Sequence, residues 1–260
     1  MSAVLSHDAA RASGGRFLLR IEDIDPGRTR EEFIDGIEED LAWLELGWDG
    51  PRVRQSQRLR LYDAALERLK ADGLVYPCFC TRADIARSAA APHGLDGPLY
   101  PGTCRGLASP NLSRTHAWRL DVARAVARAG RLTWRDGDAG DVAAQPELLG
   151  DVVLARKDAP VSYHLAVTVD DAEQGVTHVI RGRDLFASTH IHRLLQALLG
   201  LATPAYHHHR LLLGSDGERL AKRHGAVSLA DLRAQGVEPG VIISAFRAGQ
   251  APLGFRLSDA

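Results

Sequence analysis

Three cysteines, Cys78, Cys80 and Cys104, are the residues whose types and spacing point most directly to chemistry. Zinc prefers four tetrahedral ligands of thiolate or imidazole type. Cys78-x-Cys80 supplies two from one short turn, and Cys104 supplies a third from across a long loop rich in Gly, Pro and Ala. Two residues compete for the fourth place. Tyr100 stands four residues before Cys104 and offers a phenol oxygen, whereas His93 is the more usual ligand type. A zinc here would be structural, pinning a loop that has no core of its own. The alternative is three small buried thiols with no metal. An odd number of cysteines makes no disulfide framework, and a reducing, cytosolic setting fits it better.

A second group is cationic. Arg219-Leu-Ala-Lys222-Arg223-His224-Gly225 places basic side chains beside the turn Gly214-Ser-Asp-Gly217. Lysine is a compact point charge suited to phosphate oxygens, so the loop could hold a triphosphate or a nucleic-acid backbone. A solvated surface turn is the plainer alternative. Arg181 follows the apolar strand Thr177–Ile180 and could grip a carboxylate or close a strand-end ion pair. Tyr163 could offer its hydroxyl to a polar ligand or fill a core. His207, His208 and His209 are adjacent. On an extended chain they point to alternate faces, so they cannot all hold one metal.

The elements that must position these groups follow from pattern. In Arg16–Asp25 (RFLLRIEDID) a short apolar run suits a strand buried on both faces of a parallel sheet. Ligands of open α/β sheets bind at the carboxyl ends of strands, where Glu22 stands. Residues 2–13 read as a helix stopped at Gly14-Gly15. Thr29 and Glu32 form a capping box, with Phe33, Ile37, Leu41 and Leu44 at helical spacing. Further helices are expected over 56–72, 188–199, 229–235 and 239–247, and Thr81 with Asp84 caps a short one. Strands are expected over 116–121, 131–135, 151–154, 163–169, 177–181 and 211–213, with Asp170-Asp171 capping a short helix.

Composition bounds the rest. The chain has 260 residues, 25% charged and 45% hydrophobic, with a net charge of −1. These are ordinary values for a soluble globular protein, and they exclude a global basic surface for nucleic acid. No apolar run approaches a membrane span, and the start lacks the features of a signal peptide.

Six segments in order resemble the catalytic domain of glutamyl-tRNA synthetases, from about residue 2 to residue 230. They are RFLLRIEDID, QSQRLRLY from Gln55, VYPCFCTR, YHLAVTVDD from Tyr163, THVIRGRDL, and LLLGSDGERLAKRHGA. Within that group the chain is most similar to the short glutamyl-Q tRNA(Asp) synthetase family. Only residues 226–260 follow the basic loop, too few for anticodon-binding domains. Cys78, Cys80, Tyr100 and Cys104 also match that family's zinc pattern, which favours Tyr100 over His93.

The resemblance implies an α/β class I aminoacyl-tRNA synthetase fold: a Rossmann-like parallel sheet with an inserted zinc module. It divides the chain into residues 1–76 and 116–224 for the catalytic domain, 77–115 for the zinc insert and 225–260 for a C-terminal helical segment. It implies ATP-dependent activation of glutamate, with magnesium accompanying the ATP. Transfer to the queuosine base in the anticodon of tRNA(Asp) follows. Glu22, Tyr163 and Arg181 match the positions that bind glutamate, and Lys222 matches the lysine of the second ATP signature. A cytoplasmic monomer is expected.

One part of the pattern is not found. Such enzymes begin with a strand and a Pro-x-x-x-Gly-x-x-His-x-Gly loop that holds ATP. Here the first strand and that loop are missing, and the nearest string, His93-Gly94, lies in the cysteine loop. A misassigned or truncated start is expected, with these 260 residues adenylating glutamate poorly or not at all. The competing readings are a real loss leaving an inactive zinc-stabilised tRNA-binding module, and a fragment of a glutamyl-tRNA synthetase.

Overall fold

The computed structural model describes residues 1–25, 27, 29–86, 93–94, 97–218, 220 and 227–259, and at 82, 86, 93–94 and 97–98 the backbone alone. The chain forms two compact units. One contains residues 1–54, 180–184 and 207–260; the other contains 55–179 and 185–206. Among the described residues no helix is long and apolar enough to cross a membrane.

In the first unit the helix Ser2–Ala12 ends at Gly14, whose φ of +64° suits a residue without a Cβ. The strand expected within 16–25 is present and parallel, but short. Arg20–Ile21 pairs with Val53–Arg54. The pairing is prolonged by Val53 N–H to Leu19 O at 3.0 Å and Asp49 N–H to Phe17 O at 2.7 Å. Leu19 and Ile21 are buried while Arg20 between them is half-buried, so one face dominates rather than two. Helix Glu31–Trp43 starts after Arg30, and the expected Thr29–Glu32 capping box does not form. Thr29 Oγ1 donates instead to Asp25 O at 3.0 Å. Ile34, Leu41 and Leu44 enter the core, whereas Phe33 and Ile37 stay 45% and 43% exposed. Apolar spacing marks the side of a helix that can be covered, not how far the cover extends.

The same core takes Leu232 and Phe246 from helices Leu229–Ala234 and Pro239–Arg247. A capping box does form here. Ser228 Oγ accepts from Asp231 N–H at 3.1 Å, and Asp231 Oδ2 accepts from Ser228 N–H at 2.8 Å. Helix Pro239–Arg247 packs on Ser2–Ala12, where Arg247 grips Asp8 through two hydrogen bonds of 2.7 and 2.8 Å.

The second unit has an antiparallel sheet ordered Val75–Cys78, Ala117–Leu120, Val153–Ala155. A hairpin joins Thr133–Asp136 to Gly140–Ala143, and Tyr206 lies parallel to Asp136. Helices Leu59–Ala71, Val122–Ala129, Tyr163–Glu173 and Phe186–Leu199 pack around Leu66, Leu69, Leu165, Leu194 and Leu195.

A strand expectation is also overturned. Residues 163–169 are not a strand but the start of helix Tyr163–Glu173, and Asp170 lies in its last turns rather than capping a new helix. The helix is packed against both Leu59–Ala71 and Phe186–Leu199. Leu165 through Asp170 are consequently buried without a break, and no amphipathic period marks them.

Candidate functional site

Strand Val75–Cys78 places the Cys78 thiol in a small satellite core with Tyr76, Tyr100 and Cys104. The chain turns immediately after Cys80. Thr81 and Asp84 cap each other, with Thr81 N–H to Asp84 Oδ2 at 2.8 Å and Asp84 N–H to Thr81 Oγ1 at 3.1 Å, opening helix Arg82–Ala86 as expected. The second arm is bent at Gly102, φ +83°, where Arg105 N–H donates to Gly102 O at 2.8 Å. That bend brings Cys104 back to Tyr100, whose hydroxyl oxygen accepts the Cys104 N–H at 2.8 Å.

The three Sγ atoms lie within 4.8 Å of one another. Cys80 Sγ is 3.6 Å from Cys104 Sγ and 3.6 Å from the Tyr100 hydroxyl. A zinc ion with ligands at about 2.3 Å for sulfur and about 2.1 Å for oxygen sets tetrahedral edges of roughly 3.8 Å and roughly 3.6 Å. The Cys80–Cys104 and Cys80–Tyr100 separations match those edges, Cys78 Sγ lies within 4.8 Å of both other sulfurs, and three thiols with a phenol oxygen are a donor set that suits zinc. Burial, with hydrogen bonds to Cys104 and Cys78, pushes the Tyr100 hydroxyl well above its usual range. Burial also raises the Cys80 thiol. At Cys104 burial is outweighed by hydrogen bonds from Tyr100, the Phe79 backbone and the other thiols, and its pKa falls. The His93 side chain lies outside the described part of the chain.

Around this cluster is a supporting shell that sequence reasoning did not identify. Buried Asp151 ties both arms together. Its carboxylate accepts from the Tyr76 hydroxyl, from Arg105 Nε at 2.9 Å and from Val122 N–H at 3.0 Å. Its backbone carbonyl accepts from Arg119 Nη1 at 2.6 Å. The Arg119 guanidinium lies 4.0 Å over the Tyr100 ring. Lys157 Nζ donates to the carbonyls of Phe79 and Cys80 at 2.8 and 3.0 Å, holding the turn that carries both thiols. The available signal was weak: a single acid opening an apolar strand, and a lysine in a loop.

The expected glutamate-binding residues are distributed between the units. Glu22 and Arg181 belong to the first and Tyr163 to the second. Glu22 is exposed directly after the strand end at Ile21. Its neighbour Asp23 is buried in an ion pair with Arg54, Nε to Oδ2 2.7 Å, and Arg54 also reaches Glu31 at 2.7 Å. Arg181 is 8% exposed within strand His178–Gly182, and its Nε donates to His208 Nε2 at 3.1 Å. At the following Gly182 a Cβ would stand 2.5 Å from Asp184 Oδ1 and 2.9 Å from Leu211 Cδ2, so a larger residue there would displace the ends of both side chains. His208 is buried and His207 exposed, which confirms the alternation expected of the histidine run. Tyr163 opens its helix after Ser162, stacks edge-on to His192 at 5.7 Å, and lines a cavity. His164 Nδ1 and His192 Nε2 are hydrogen-bonded at 3.1 Å. Arg219, Lys222, Arg223 and His224 lie outside the described residues.

Residues 1–253 match the family described as tRNA synthetases class I (E and Q), catalytic domain. The chain belongs to this family of aminoacyl-tRNA ligases, and its α/β fold is of the class I synthetase type. Its relatives are more specific. It is 49% identical over 253 residues to a glutamyl-Q tRNA(Asp) synthetase of Rhodobacter capsulatus, covering 93% of this chain and 91% of that one. The Symbiobacterium thermophilum glutamyl-Q tRNA(Asp) synthetase is 46% identical, with 93% and 78% covered. Among solved structures, the glutamate-tRNA synthetase of Elizabethkingia anophelis superposes with a TM-score of 0.69 at 27% identity over 86% of this chain. This chain spans 49% of that longer one.

Proposed function

We propose that the protein activates glutamate with ATP and transfers it to the queuosine base of tRNA(Asp). The observation that carries this is the 49% identity over 91% of a glutamyl-Q tRNA(Asp) synthetase. Class I synthetases use ATP with magnesium. In the first step a carboxylate oxygen of glutamate attacks the α-phosphorus and pyrophosphate leaves. In the second, an acceptor hydroxyl oxygen attacks the glutamyl carbonyl and AMP leaves with the bonding pair. No enzyme nucleophile is needed.

The proposed roles follow side-chain chemistry. Arg181 offers a guanidinium for a glutamate carboxylate. Its Nε is oriented by His208, which keeps the fork fixed. Glu22 takes the ammonium, and Tyr163 offers its hydroxyl. Lys222 stabilises charge developing on the triphosphate. Cys78, Cys80, Tyr100 and Cys104 would hold a structural zinc, which ties the Cys78–Cys80 turn to the arm that carries Tyr100 and Cys104.

The experiment is transfer of labelled glutamate, with ATP, to queuosine-modified tRNA(Asp), unmodified tRNA(Asp) and tRNA(Glu). Whatever the yield from these 260 residues, label is expected on the modified tRNA(Asp) and on neither of the other two. Labelling of tRNA(Glu) instead would favour a glutamyl-tRNA synthetase, the second reading, which the likeness to the Elizabethkingia enzyme supports. Salt-sensitive tRNA binding with no transfer would favour a non-catalytic binding module.

A further inference from the structure

A divalent zinc ion bound by three thiolates and a phenol oxygen carries a net negative charge. Cys78, Tyr100 and Cys104 are buried and Cys80 is half-buried, so that charge would lie largely out of water. A buried charge is costly unless opposite charges stand close to it. Asp84, held by Thr81 at the end of the Cys80 turn, adds a further negative group on the same side.

Two cations flank the cluster, one on each arm. Arg119, half-buried in strand Ala117–Leu120, lies with its guanidinium 4.0 Å over the Tyr100 ring. Lys157 donates to the carbonyls of Phe79 and Cys80 at 2.8 and 3.0 Å, which places its ammonium on the backbone that carries the Cys80 thiol. Among the described residues neither cation forms an ion pair with a carboxylate. Other arginines of this region do: Arg105 is matched by Asp151 at 2.5 Å and Arg156 by Asp158 at 2.7 Å. The two cations left over are the two that touch the arms of the cysteine cluster.

The residue types fit these positions. The basic residues of this chain are nearly all arginine, yet position 157 is lysine. An ammonium carries three donors on one atom and meets two successive carbonyls from a single point, which a flat guanidinium fork does not. Over the Tyr100 ring the preference reverses, because a guanidinium can stack on an aromatic face.

We infer that Arg119 and Lys157 are the counter-charges of the metal cluster. They are positioning residues that bind no metal themselves and set how tightly Cys78, Cys80, Tyr100 and Cys104 retain it. This assignment rests on the proposed zinc and names what neutralises it. Arg119 acts from a half-buried place, so its effect persists in salt. Lys157 is exposed, so its effect is smaller and fades as salt rises.

The test is zinc affinity of the full chain, measured by competition with a chromogenic chelator at low and high salt. The variants are Arg119→Met and Lys157→Met, which remove charge, and Arg119→Lys and Lys157→Arg, which keep it. Arg119→Met is expected to weaken zinc about 10-fold, as loss of an outer partner does at a metal site. Lys157→Met is expected to weaken it about 3-fold at low salt and less at high salt. The charge-keeping exchanges are expected to stay close to the parent. Cobalt(II) in place of zinc is expected to give the same thiolate charge-transfer band in all five proteins, because the ligands are unchanged. Arg119→Met also loses the bond to the Asp151 carbonyl, so each protein is melted with and without zinc. A lost counter-charge reduces the stabilisation that zinc adds, whereas a merely structural tie lowers both melts alike. Methionine variants that bind zinc like the parent overturn the inference, as do charge-keeping exchanges that weaken it equally, or both melts lowered alike. A parent that binds neither metal refutes the zinc reading and the inference with it. Tight binding by the parent and by both methionine variants refutes the inference alone.

Discussion

Asp170→Asn is a sharp test of how the second unit holds the helix that begins at Tyr163. Asp170 is fully buried. Its Oδ2 accepts from Gln55 Nε2 and the Tyr62 hydroxyl, both at 2.8 Å, and its Oδ1 accepts from Arg58 Nε at 2.7 Å. One carboxylate thus anchors the 3-10 turn Gln55–Gln57 and helix Leu59–Ala71 to helix Tyr163–Glu173. Asparagine keeps the shape but loses the charge and turns one acceptor into a donor. If its oxygen stays with Arg58, its amide faces Gln55 and Tyr62, which both currently donate.

Removing one partner of a buried ion pair costs about 3–5 kcal/mol. Arg58 keeps 21% side-chain exposure, so water partly satisfies it and the lower end applies, about 3 kcal/mol. That is roughly a hundredfold in the folding equilibrium. Urea unfolding, followed through Trp118 and Trp134 of this unit, is expected to show a lower midpoint at unchanged slope. Tyr62→Phe alone is expected to cost about 2 kcal/mol, the value for a hydrogen bond to a charged group. Combined with Asp170→Asn it is expected to cost about 1 kcal/mol less, because the two share an acceptor. A loss below about 1 kcal/mol for Asp170→Asn, or full additivity with Tyr62→Phe, would refute this account of the carboxylate as a charged anchor.

Zinc analysis of the chain purified under reducing conditions is expected to give about one ion per chain, abolished by Cys104→Ser. Tyr100→Phe keeps all three thiolates and is expected to yield the metal faster to a chelator; no zinc in the parent would sink the tetrahedral assignment. His190 is buried, its Nδ1 accepting from Trp134 Nε1 and Gln145 N–H at 3.3 Å each, and burial lowers its pKa below the usual 6.5. The unfolded chain then binds more protons near pH 6, so stability present above about pH 6.5 is lost as pH falls from there towards the folded value, at most about 1.4 kcal/mol per pH unit. His190→Phe is expected to flatten that slope in melts run from pH 7.5 to 5, and an unchanged slope would count against it. Ser228→Ala removes the capping box and is expected to cost about 1 kcal/mol, seen as faster amide exchange in helix Leu229–Ala234.

Legibility followed the physical origin of each signal. Local chemistry was readable wherever one residue type enforces one geometry. Gly200 takes φ +66° to end helix Phe186–Leu199, and Thr81 with Asp84 makes the cap its spacing implied. Within the cysteine cluster the local pairs were readable: Cys78 and Cys80 share one turn, and Tyr100 and Cys104 stand four residues apart with the bend at Gly102 turning one back on the other. The partners that hold the cluster were not, because Asp151 and Lys157 reach it over a separation of 46 to 78 residues. No local pattern encodes such a pairing.

The misread segment shows the same limit from the other side. Tyr-His-Leu-Ala-Val-Thr-Val is β-branched and apolar, which favours a strand on propensity alone. Propensity is a weak preference, and burial on every side removes the period that would correct it. The deciding residue is Asp170, seven positions on. Strand pleating would alternate its side chain with its neighbours, whereas a helix sets Tyr163 and Asp170 about two turns apart on one face. The carboxylate can then dock on Gln55, Arg58 and Tyr62 while the same face carries Tyr163 at its start. If the anchor is what fixes the helix, loosening it in Asp170→Asn should speed amide exchange along Tyr163–Glu173 more than along Phe186–Leu199. Uniform exchange in both helices would mean that packing alone positions Tyr163.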